Sequence, residues 1–445
     1  MKYIIIVVTF LSLGLAHSQE ISQRINEYAD SYVNTGDFSG CILITEKGVV
    51  LYENCFGYAN YSFDVPNDAQ TKFKIGSVSK QFTAAAILLL EQQGKLRTED
   101  TLSHYFPNSV TTSKMTIDQL LTHTSGLIDV FSIPDFNTLS SEKKSISDLS
   151  MLILEAGPDF EPGSQYQYSN GGYAVLAQII EQLSGTTYQE YLADQIFNPL
   201  KMNSTGHNRG NEVVHKLATG YDPFGFNGVK ITDYVNPELL KGSGSLFSTT
   251  RDLDIWIQSI KDRSLLSEES YEKLLKNYGH NYGYGISVYQ SFNKEVFGHD
   301  GRINGYIADY LHYIEPDISI IILGNIQTGV ADFFRRDIAA IVFDKTYASR
   351  AKTSLPAYDG LLDTGPIEGI YAFGPNFKVY VEFLDGNLQA RANEGAYSEL
   401  VPLQDGRFFN RTLYSYIEFN KDEQGSISKM IWTNNDGNSF EGLKE

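Results

Sequence analysis

A serine followed three residues later by a lysine, Ser77-Val78-Ser79-Lys80, is the first feature whose spacing suits chemistry. Ser-x-x-Lys begins at seven serines in the chain, but only here does it open a long apolar helix that must be buried all round. The positive end of the helix dipole favours an oxyanion there. Lys80 lies one turn later, roughly 5–6 Å away, where burial lowers the amine pKa so that it accepts the serine proton. This predicts a serine nucleophile; the ordinary alternative is a serine N-cap followed by a solvated lysine.

The second candidate is a tyrosine and an asparagine in Tyr168-Ser169-Asn170, on a glycine-flanked loop before another apolar helix. Such a loop lets polar side chains point into a cleft. A phenol beside a lysine ammonium can ionise and act as a general base. The alternative for an isolated tyrosine is a core ring with a satisfied hydroxyl.

The third candidate surrounds a histidine in Gly298-His299-Asp300-Gly301-Arg302. Glycines on both sides leave a strand edge open to the close approach of a ligand backbone. Backbone N–H groups along such an edge can complete an oxyanion hole. Without this setting, a lone histidine is usually structural or exposed.

The elements that must position these motifs mix helices and strands from about residue 20 to 345. Apolar periodicity predicts helices over 21–34, 77–93, 173–183, 253–260 and 330–343, and strands over 40–45, 49–55, 308–313 and 318–323. The strands lie towards both ends of this region. The pattern therefore predicts one sheet built from both ends, with a helical middle.

The pattern changes beyond residue 347. A polar stretch over 349–358 predicts a linker. Short alternating runs follow it, separated by turn signals such as Asp385-Gly386 and Asp405-Gly406. This spacing predicts a small antiparallel barrel or sandwich.

In order and spacing, the three motifs together resemble the serine beta-lactamase-like family, which contains class C beta-lactamases, D-Ala-D-Ala carboxypeptidases, D-aminopeptidases and related esterases. Stretches at 120–127 and 242–250 match as well. The resemblance implies an α+β fold: a mostly antiparallel sheet flanked by helices, with a helical subdomain over the cleft. The last segment resembles the small all-β barrel appended to some members. We expect a hydrolase domain at 19–348, a linker at 349–358 and a barrel domain at 359–445.

The resemblance also implies catalytic roles. Ser77 would be the acylated nucleophile and Lys80 its proton acceptor. Tyr168 would act as general base and then donate a proton to the leaving group. Together they imply acyl transfer to serine followed by hydrolysis of the acyl-enzyme.

The remaining roles concern substrate binding. Asn170 would hydrogen-bond the substrate and the lysine. His299 and Gly301 would occupy the third motif on the edge strand. The backbone N–H of Arg302 would form the oxyanion hole together with that of the nucleophile.

Two residues depart from the family pattern. His299 stands where many beta-lactamases have lysine, and Asp300 where they have a small hydroxyl residue. A cation and a hydroxyl there hold a substrate carboxylate, whereas Asp300 would repel one. We therefore expect a small ester or a D-amino-acid peptide as substrate ahead of a beta-lactam. The alternative is a sensor of the same fold that binds cell-wall peptides or beta-lactams without turnover.

The first eighteen residues have the features of a signal peptide: Lys2, an apolar run over 4–16, and small residues before the cleavage point. No cysteine follows that would carry a lipid, and no later segment is long and apolar enough to cross a membrane. We therefore expect an exported protein, periplasmic or secreted, without a membrane anchor.

Composition limits the partners. The chain has 35 Lys plus Arg against 54 Asp plus Glu, a formal net charge of -19, which argues against nucleic acid. None of the eight histidines has a metal-ligand spacing, and no phosphate loop or dinucleotide fingerprint appears. We expect a small-molecule or peptide substrate, no metal and no cofactor; the oligomeric state is left open.

The two cysteines, Cys41 and Cys55, lie on two neighbouring predicted strands. A disulfide between them depends on the strand register, because a two-residue turn would place Cys41 opposite Asn54 instead. Two buried free thiols are the alternative.

Overall fold

The computed structural model describes residues 19–133, 145–207, 209–210, 212–348, 350–351, 365–393 and 395–445. The predicted signal peptide at 1–18 and most of the predicted linker lie outside these residues. The chain divides into two compact units. The central unit comprises Gly40–Thr219 and Asp233–Asn325, and the terminal unit comprises the described parts of Met1–Ser39, Gly220–Thr232 and Ile326–Glu445.

A six-stranded antiparallel sheet forms the base of the central unit. In spatial order its strands are Ser287–Ser291, Lys294–Ile303, Tyr306–Tyr313, Ile318–Gly324, Gly40–Glu46 and Val49–Phe56. A strand from the start of the region thus pairs with one from its end, with Gly40 opposite Gly324. The predicted sheet is confirmed. Two inner strands are buried at every position, which is typical of strands covered on both faces.

Short strands complete the central unit. Leu246–Ser248 pairs with Phe73–Lys74 on one side and with Gly206–His207 on the other, and Tyr58–Asn60 pairs with Val65–Pro66. The three-stranded group leads directly into the Ser77 motif, because only Ile75 and Gly76 separate Phe73–Lys74 from Ser77.

Helices fill the middle of the central unit. The α-helices are Lys80–Gln92, Ile117–Leu121, Ile146–Ala156, Asn170–Ser184, Tyr188–Leu192, Asn198–Leu200, Thr250–Lys261 and Glu268–Leu275, with a π-helical turn at Ala193–Phe197. The 3₁₀ turns are Tyr61–Phe63, Gly76–Ser79, Leu102–His104, Val110–Lys114, Val130–Ser132 and Pro237–Leu240. The predicted buried helix is confirmed, since ten of the thirteen residues of Lys80–Gln92 are buried. It begins at Lys80 rather than at Ser77.

A disulfide joins Cys41 and Cys55, whose Cα atoms are 4.1 Å apart. The turn between the two strands has two residues, Lys47 and Gly48, both with positive φ. A β-bulge between Ile44 and Thr45 then shifts the register by one, so that Cys41 faces Cys55 and not Asn54.

The terminal unit brings together both ends of the described chain. Its helices are 19–33 and Phe334–Val342, with a 3₁₀ turn at Gly329–Asp332 and a hairpin of Tyr221–Phe224 with Gly228–Ile231. Arg411 and Asp37 form a fully buried ion pair in this unit, 2.7 Å between Nε and Oδ1. The Arg411 guanidinium also donates to the carbonyls of Gly225 and Gly228, 3.1 and 2.5 Å away.

The last nine strands form one antiparallel sheet. Their spatial order is Ser398–Glu399, Asn387–Ala392, Phe377–Leu384, Gly369–Gly374, Ser439–Lys444, Ile427–Thr433, Ser415–Lys421, Phe408–Asn410 and Val401–Pro402. The two edge strands of this order are separated in sequence only by Leu400, so the sheet comes round on itself as a nearly closed barrel. The predicted small all-β barrel is confirmed.

Within the described ranges, no helix has the length and apolar character needed to cross a membrane. The same part of the chain holds no group of three or more His, Cys, Asp or Glu side chains suited to a metal ion.

Candidate active site

Ser77 lies in the 3₁₀ turn Gly76–Ser79, immediately before the buried helix. Its neighbours Val78 and Phe82 are fully buried and fix the turn, while Ser77 itself is only partly buried. The turn starts at Gly76, whose φ of 48° lies in the left-handed region. The sequence therefore presents one serine to solvent at the N-terminus of a rigid helix.

Lys80 makes three hydrogen bonds through its Nζ. The acceptors are Ser77 Oγ at 3.1 Å, Asn170 Oδ1 at 2.7 Å and the carbonyl of Ser243 at 2.9 Å. The Nζ also lies over the Tyr168 ring, 4.7 Å from its centroid. The predicted Ser-Lys contact and the Asn-Lys contact are therefore both present in the structure.

Burial lowers the pKa of Lys80 from 10.5 to about 7, since removing an ammonium from water disfavours the charged form. The carboxylates of Asp129 and Asp300 oppose this effect and raise the pKa. Lys80 is therefore divided between amine and ammonium near neutral pH. A neutral amine 3.1 Å from the hydroxyl can accept the serine proton.

Asn170 is held in place by Asp129. The Asp129 Oδ2 accepts both the backbone N–H of Asn170, at 2.7 Å, and its side-chain Nδ2–H, at 2.8 Å. This fixes the amide so that its Oδ1 points at Lys80. The intervening Ser169 caps the helix Asn170–Ser184, because its hydroxyl accepts from Gly172 N at 3.2 Å.

Tyr168 has a buried hydroxyl with no hydrogen-bond partner among the described residues. Burial raises the pKa of this phenol, and the neighbouring Ser77 hydroxyl lowers it in part. Tyr168 therefore keeps its proton at neutral pH. Its hydroxyl is close to Ser77 and is available to a bound substrate.

A cluster of rings surrounds Tyr168. The His123 ring lies 4.2 Å from it, centroid to centroid, and His123 Nδ1 accepts the backbone N–H of Ser169 at 3.1 Å. Burial and the nearby charge of Lys80 lower the pKa of His123 well below its usual value, so the ring is neutral. His123 therefore anchors the backbone of the Tyr168 loop through Ser169.

His299 is buried and forms a 2.9 Å hydrogen bond between its Nε2 and the Tyr282 hydroxyl. Its ring centroid lies 6.5 Å from that of Tyr168. The contact of Nδ1 with the Asp300 carbonyl assigns the proton to Nδ1, so Tyr282 donates to Nε2. His299 is thus part of the cleft wall and is engaged by a neighbouring tyrosine.

The strand Lys294–Ile303 passes directly beside the serine turn. A Cβ added to Gly301 would lie 2.1 Å from the carbonyl of Ile75 and 3.1 Å from the N of Ser77. A Cβ added to Gly76 would lie 2.9 Å from the N of Arg302. Only glycine fits at these two positions. The backbone N atoms of Ser77 and Arg302 are therefore neighbours at this contact, while the Arg302 side chain is exposed.

All seven predicted site residues lie in the central unit, at one end of the buried helix. Three contributors were not predicted: Asp129, Tyr282 and the carbonyl of Ser243. The sequence signal for Asp129 is weak: it follows the pair Gly126-Leu127 by two residues and is a residue type that caps helices, as it does for the turn Val130–Ser132. Tyr282 lies next to Gly283, and Ser243 lies between two glycines in the stretch at 242–250.

This fold and this serine–lysine–tyrosine geometry define a serine hydrolase. The chain belongs to the beta-lactamase family: the family model described as Beta-lactamase matches residues 25–344. A penicillin-binding protein of Bacillus subtilis (strain 168) is 30% identical over 447 residues, covering 92% of this chain and 95% of that protein.

Two further proteins are similar to this chain. Teichoic acid D-alanine hydrolase of Staphylococcus aureus is 28% identical, covering 62% of this chain and 68% of that protein. The octameric penicillin-binding protein homologue from Pyrococcus abyssi superimposes with a TM-score of 0.64 at 22% identity, covering 95% of this chain and 99% of that one. The likeness extends through the barrel. The protein is a hydrolase that acts on an amide or an ester.

Proposed function

We propose that this protein is an exported serine hydrolase that forms an acyl-enzyme on Ser77 and acts on D-aminoacyl esters or amides. The observation that carries the proposal is the buried Lys80. Its Nζ lies 3.1 Å from Ser77 Oγ, and burial lowers its pKa to about 7. Such an amine is half neutral near neutral pH. It is matched to the task of taking a serine proton.

Acylation follows from the positions of these groups. Ser77 Oγ adds to the substrate carbonyl carbon as its proton passes to the neutral Lys80 Nζ. The resulting oxyanion is stabilised by the backbone N–H groups of Ser77 and Arg302. The Tyr168 phenol, which keeps its proton because burial raises its pKa, protonates the leaving alcohol or amine as the scissile bond breaks. Tyr168 then recovers a proton from the Lys80 ammonium.

Deacylation uses the same groups in the same roles, with water as the nucleophile and Ser77 as the leaving group. Water adds to the acyl ester and passes a proton to Lys80, and Ser77 Oγ leaves with a proton returned through the same groups. Asn170 stays fixed throughout, since Asp129 holds both its backbone and its side chain. The products are a carboxylic acid and the free serine.

The charge beside the cleft supports an aminoacyl group, and the D configuration is proposed from the similar protein described below. The carboxylate of Asp300 raises the pKa of both Lys80 and Tyr168, so its field reaches the reacting atoms. That field favours a substrate ammonium and disfavours a free carboxylate. The similar Staphylococcus aureus protein is named for hydrolysis of D-alanine from teichoic acid, which fits this charge preference.

Covalent labelling tests the nucleophile. Full-length mature protein is incubated with a fluorophosphonate probe, and intact-mass spectrometry with peptide mapping locates the adduct. We expect one adduct on Ser77 and none in Ser77→Ala. Ser426→Ala is the matched control, because Ser426 begins an exposed Ser-x-x-Lys of the same spacing. Labelling that persists in Ser77→Ala would refute the assignment.

A small panel tests the substrate class. We expect hydrolysis of D-alanine methyl ester to exceed that of the L-enantiomer, of methyl propionate, which lacks the ammonium, and of a chromogenic cephalosporin. Asp300→Asn should lower kcat/KM for D-alanine methyl ester more than for methyl propionate, which has no ammonium and shares only the effect of Asp300 on Lys80 and Tyr168. Equal loss for both esters would contradict a charge-based role for Asp300.

Export is a separate part of the proposal and rests on the predicted signal peptide at 1–18. Fractionation of cells with N-terminal sequencing should find the mature chain, beginning at Gln19, outside the cytoplasm. Recovery of the intact N-terminus in the cytoplasm alone would contradict it. The domain boundaries at 348 and 359 likewise stay a prediction.

A further inference from the structure

The barrel of the terminal unit contains a cavity of about 220 Å³. Its inner wall is made of buried apolar side chains, among them Val379, Leu400, Ile417 and Met430. Phe377 and Leu413, which are 38% and 48% exposed, lie at its outer end. Every lining residue falls between 377 and 432, so the cavity is distinct from the active site.

Two residues that line this cavity each have a buried polar side-chain atom with no hydrogen-bond partner within the described ranges: Trp432 Nε1 and Ser415 Oγ. Ser415 is fully buried. Leaving a buried donor unpaired costs roughly 1–3 kcal/mol, and such groups are rare in folded proteins. An indole N–H can only donate, whereas a hydroxyl can donate or accept. The pair is therefore suited to a ligand with a hydrogen-bond acceptor.

The cavity exists because small residues line it. Ala390 and Ser415 line it on strands whose neighbouring buried positions, Leu388 and Ile417, have larger side chains. Protein interiors are otherwise close-packed, and a roughly 150 Å³ apolar cavity is enough to bind benzene. The volume here is larger. It accommodates a group somewhat bigger than a phenyl ring.

The ligand should be uncharged. Arg391 is the one charged residue among those that line the cavity. Its guanidinium lies over the rings of Tyr380 and Tyr397, 4.2 and 5.3 Å from their centroids. The other polar residues of the lining are all neutral, so the wall supplies apolar surface and uncharged polar groups: Tyr397, Ser398, Asn410, Thr412, Ser415 and Trp432.

We propose that the barrel is a binding module for a compact, neutral, apolar compound that carries one carbonyl group. The apolar part fills the space beside Ala390 and Met430, and the carbonyl oxygen accepts hydrogen bonds from Trp432 Nε1 and Ser415 Oγ. This inference is independent of the chemistry at Ser77.

Acetophenone is the probe, and the indole N–H resonances of ¹⁵N-tryptophan-labelled full-length mature protein are the readout. The chain has only two tryptophans. Trp256 is an internal reference because its Nε1 already donates to Gln81 Oε1 at 2.8 Å. We expect a saturable downfield shift of the Trp432 indole proton and no change at Trp256. α-Methylstyrene, in which CH₂ replaces the carbonyl oxygen, should give no downfield shift.

Two variants complete the test. Ala390→Leu, which fills the cavity, should abolish the shift, and Ser415→Ala should weaken acetophenone binding several-fold. A sharp, dispersed backbone amide resonance of Trp432 in the same spectra shows that the barrel of each variant is folded. No saturable Trp432 shift in the wild type, or an equal shift in folded Ala390→Leu, would overturn the proposal whatever the outcome of the labelling experiment at Ser77.

Discussion

Replacing Lys80 by methionine should change stability in a way that depends on pH. Lys80 is fully buried, and burial lowers the pKa of its ammonium from 10.5 to about 7. In the unfolded chain the pKa returns to its ordinary value, about 10.4. Between the two values the unfolded state binds one more proton than the folded state, so the free energy of unfolding of the wild type rises with pH. The gain in stability is complete above the pKa of Lys80 in the unfolded chain. It is lost as the pH falls to the pKa of Lys80 in the folded protein.

The magnitude follows from that window. Each pH unit within it is worth about 1.4 kcal/mol. From pH 7.5 to 9.5 we expect the stability of the wild type to rise by about 2–3 kcal/mol relative to Lys80→Met, which has no titrating group there. The variant also loses three hydrogen bonds. That loss shifts the difference in free energy of unfolding between the wild type and the variant by the same amount at every pH. The slope of this difference against pH is therefore unchanged.

Reversible urea unfolding at pH 7.5, 8.5 and 9.5 measures this slope. Lys95→Met is the matched control, because Lys95 is exposed just beyond the C-terminus of the same helix. It should follow the wild type at all three pH values. A pH-independent difference between the wild type and Lys80→Met would show that Lys80 keeps an ordinary pKa, and the case for Lys80 as proton acceptor would be refuted.

Three other outcomes are expected. Asp129→Asn should slow fluorophosphonate labelling about tenfold, since a charge-assisted hydrogen bond is lost. It should also move the pH midpoint of labelling downwards, because the Asp129 carboxylate raises the pKa of Lys80. Labelling rates measured across pH test both effects. Gly301→Ala should reduce labelling about 100-fold, since its Cβ would force the strand away from the serine turn, whereas Gly374→Ala, with open space around it, should not. Reducing the disulfide should lower the free energy of unfolding by about 3 kcal/mol, in keeping with its sequence separation of 14; urea unfolding with and without reductant measures this.

The sequence was most informative where local pattern and chemistry coincide. A buried helix is recognisable from an unbroken apolar run, so its position behind Ser77 was predictable. Its first residue was not, because Gly76 adopts a positive φ and places the serine in a 3₁₀ turn. The family resemblance supplied the partners of the serine, which lie far apart in sequence.

Features that depend on tertiary structure were less accessible. The disulfide depends on one β-bulge between Ile44 and Thr45, which no turn rule predicts. Asp129 contributes through two hydrogen bonds to a residue 41 positions later. The sequence predicts that Tyr168 ionises beside Lys80, whereas in the structure burial raises the pKa of its phenol and favours a proton donor.

The buried pair of Asp37 and Arg411 has a consequence for synthesis, because 374 residues separate the two side chains. At about 5–20 residues per second, a ribosome needs roughly 20–75 s to deliver the arginine after the aspartate. During that time Asp37 has no guanidinium to neutralise it, and the terminal unit cannot close around it. The helix at 19–33 must therefore wait for the last strands, and a truncation near the C-terminus will appear as a defect around this helix.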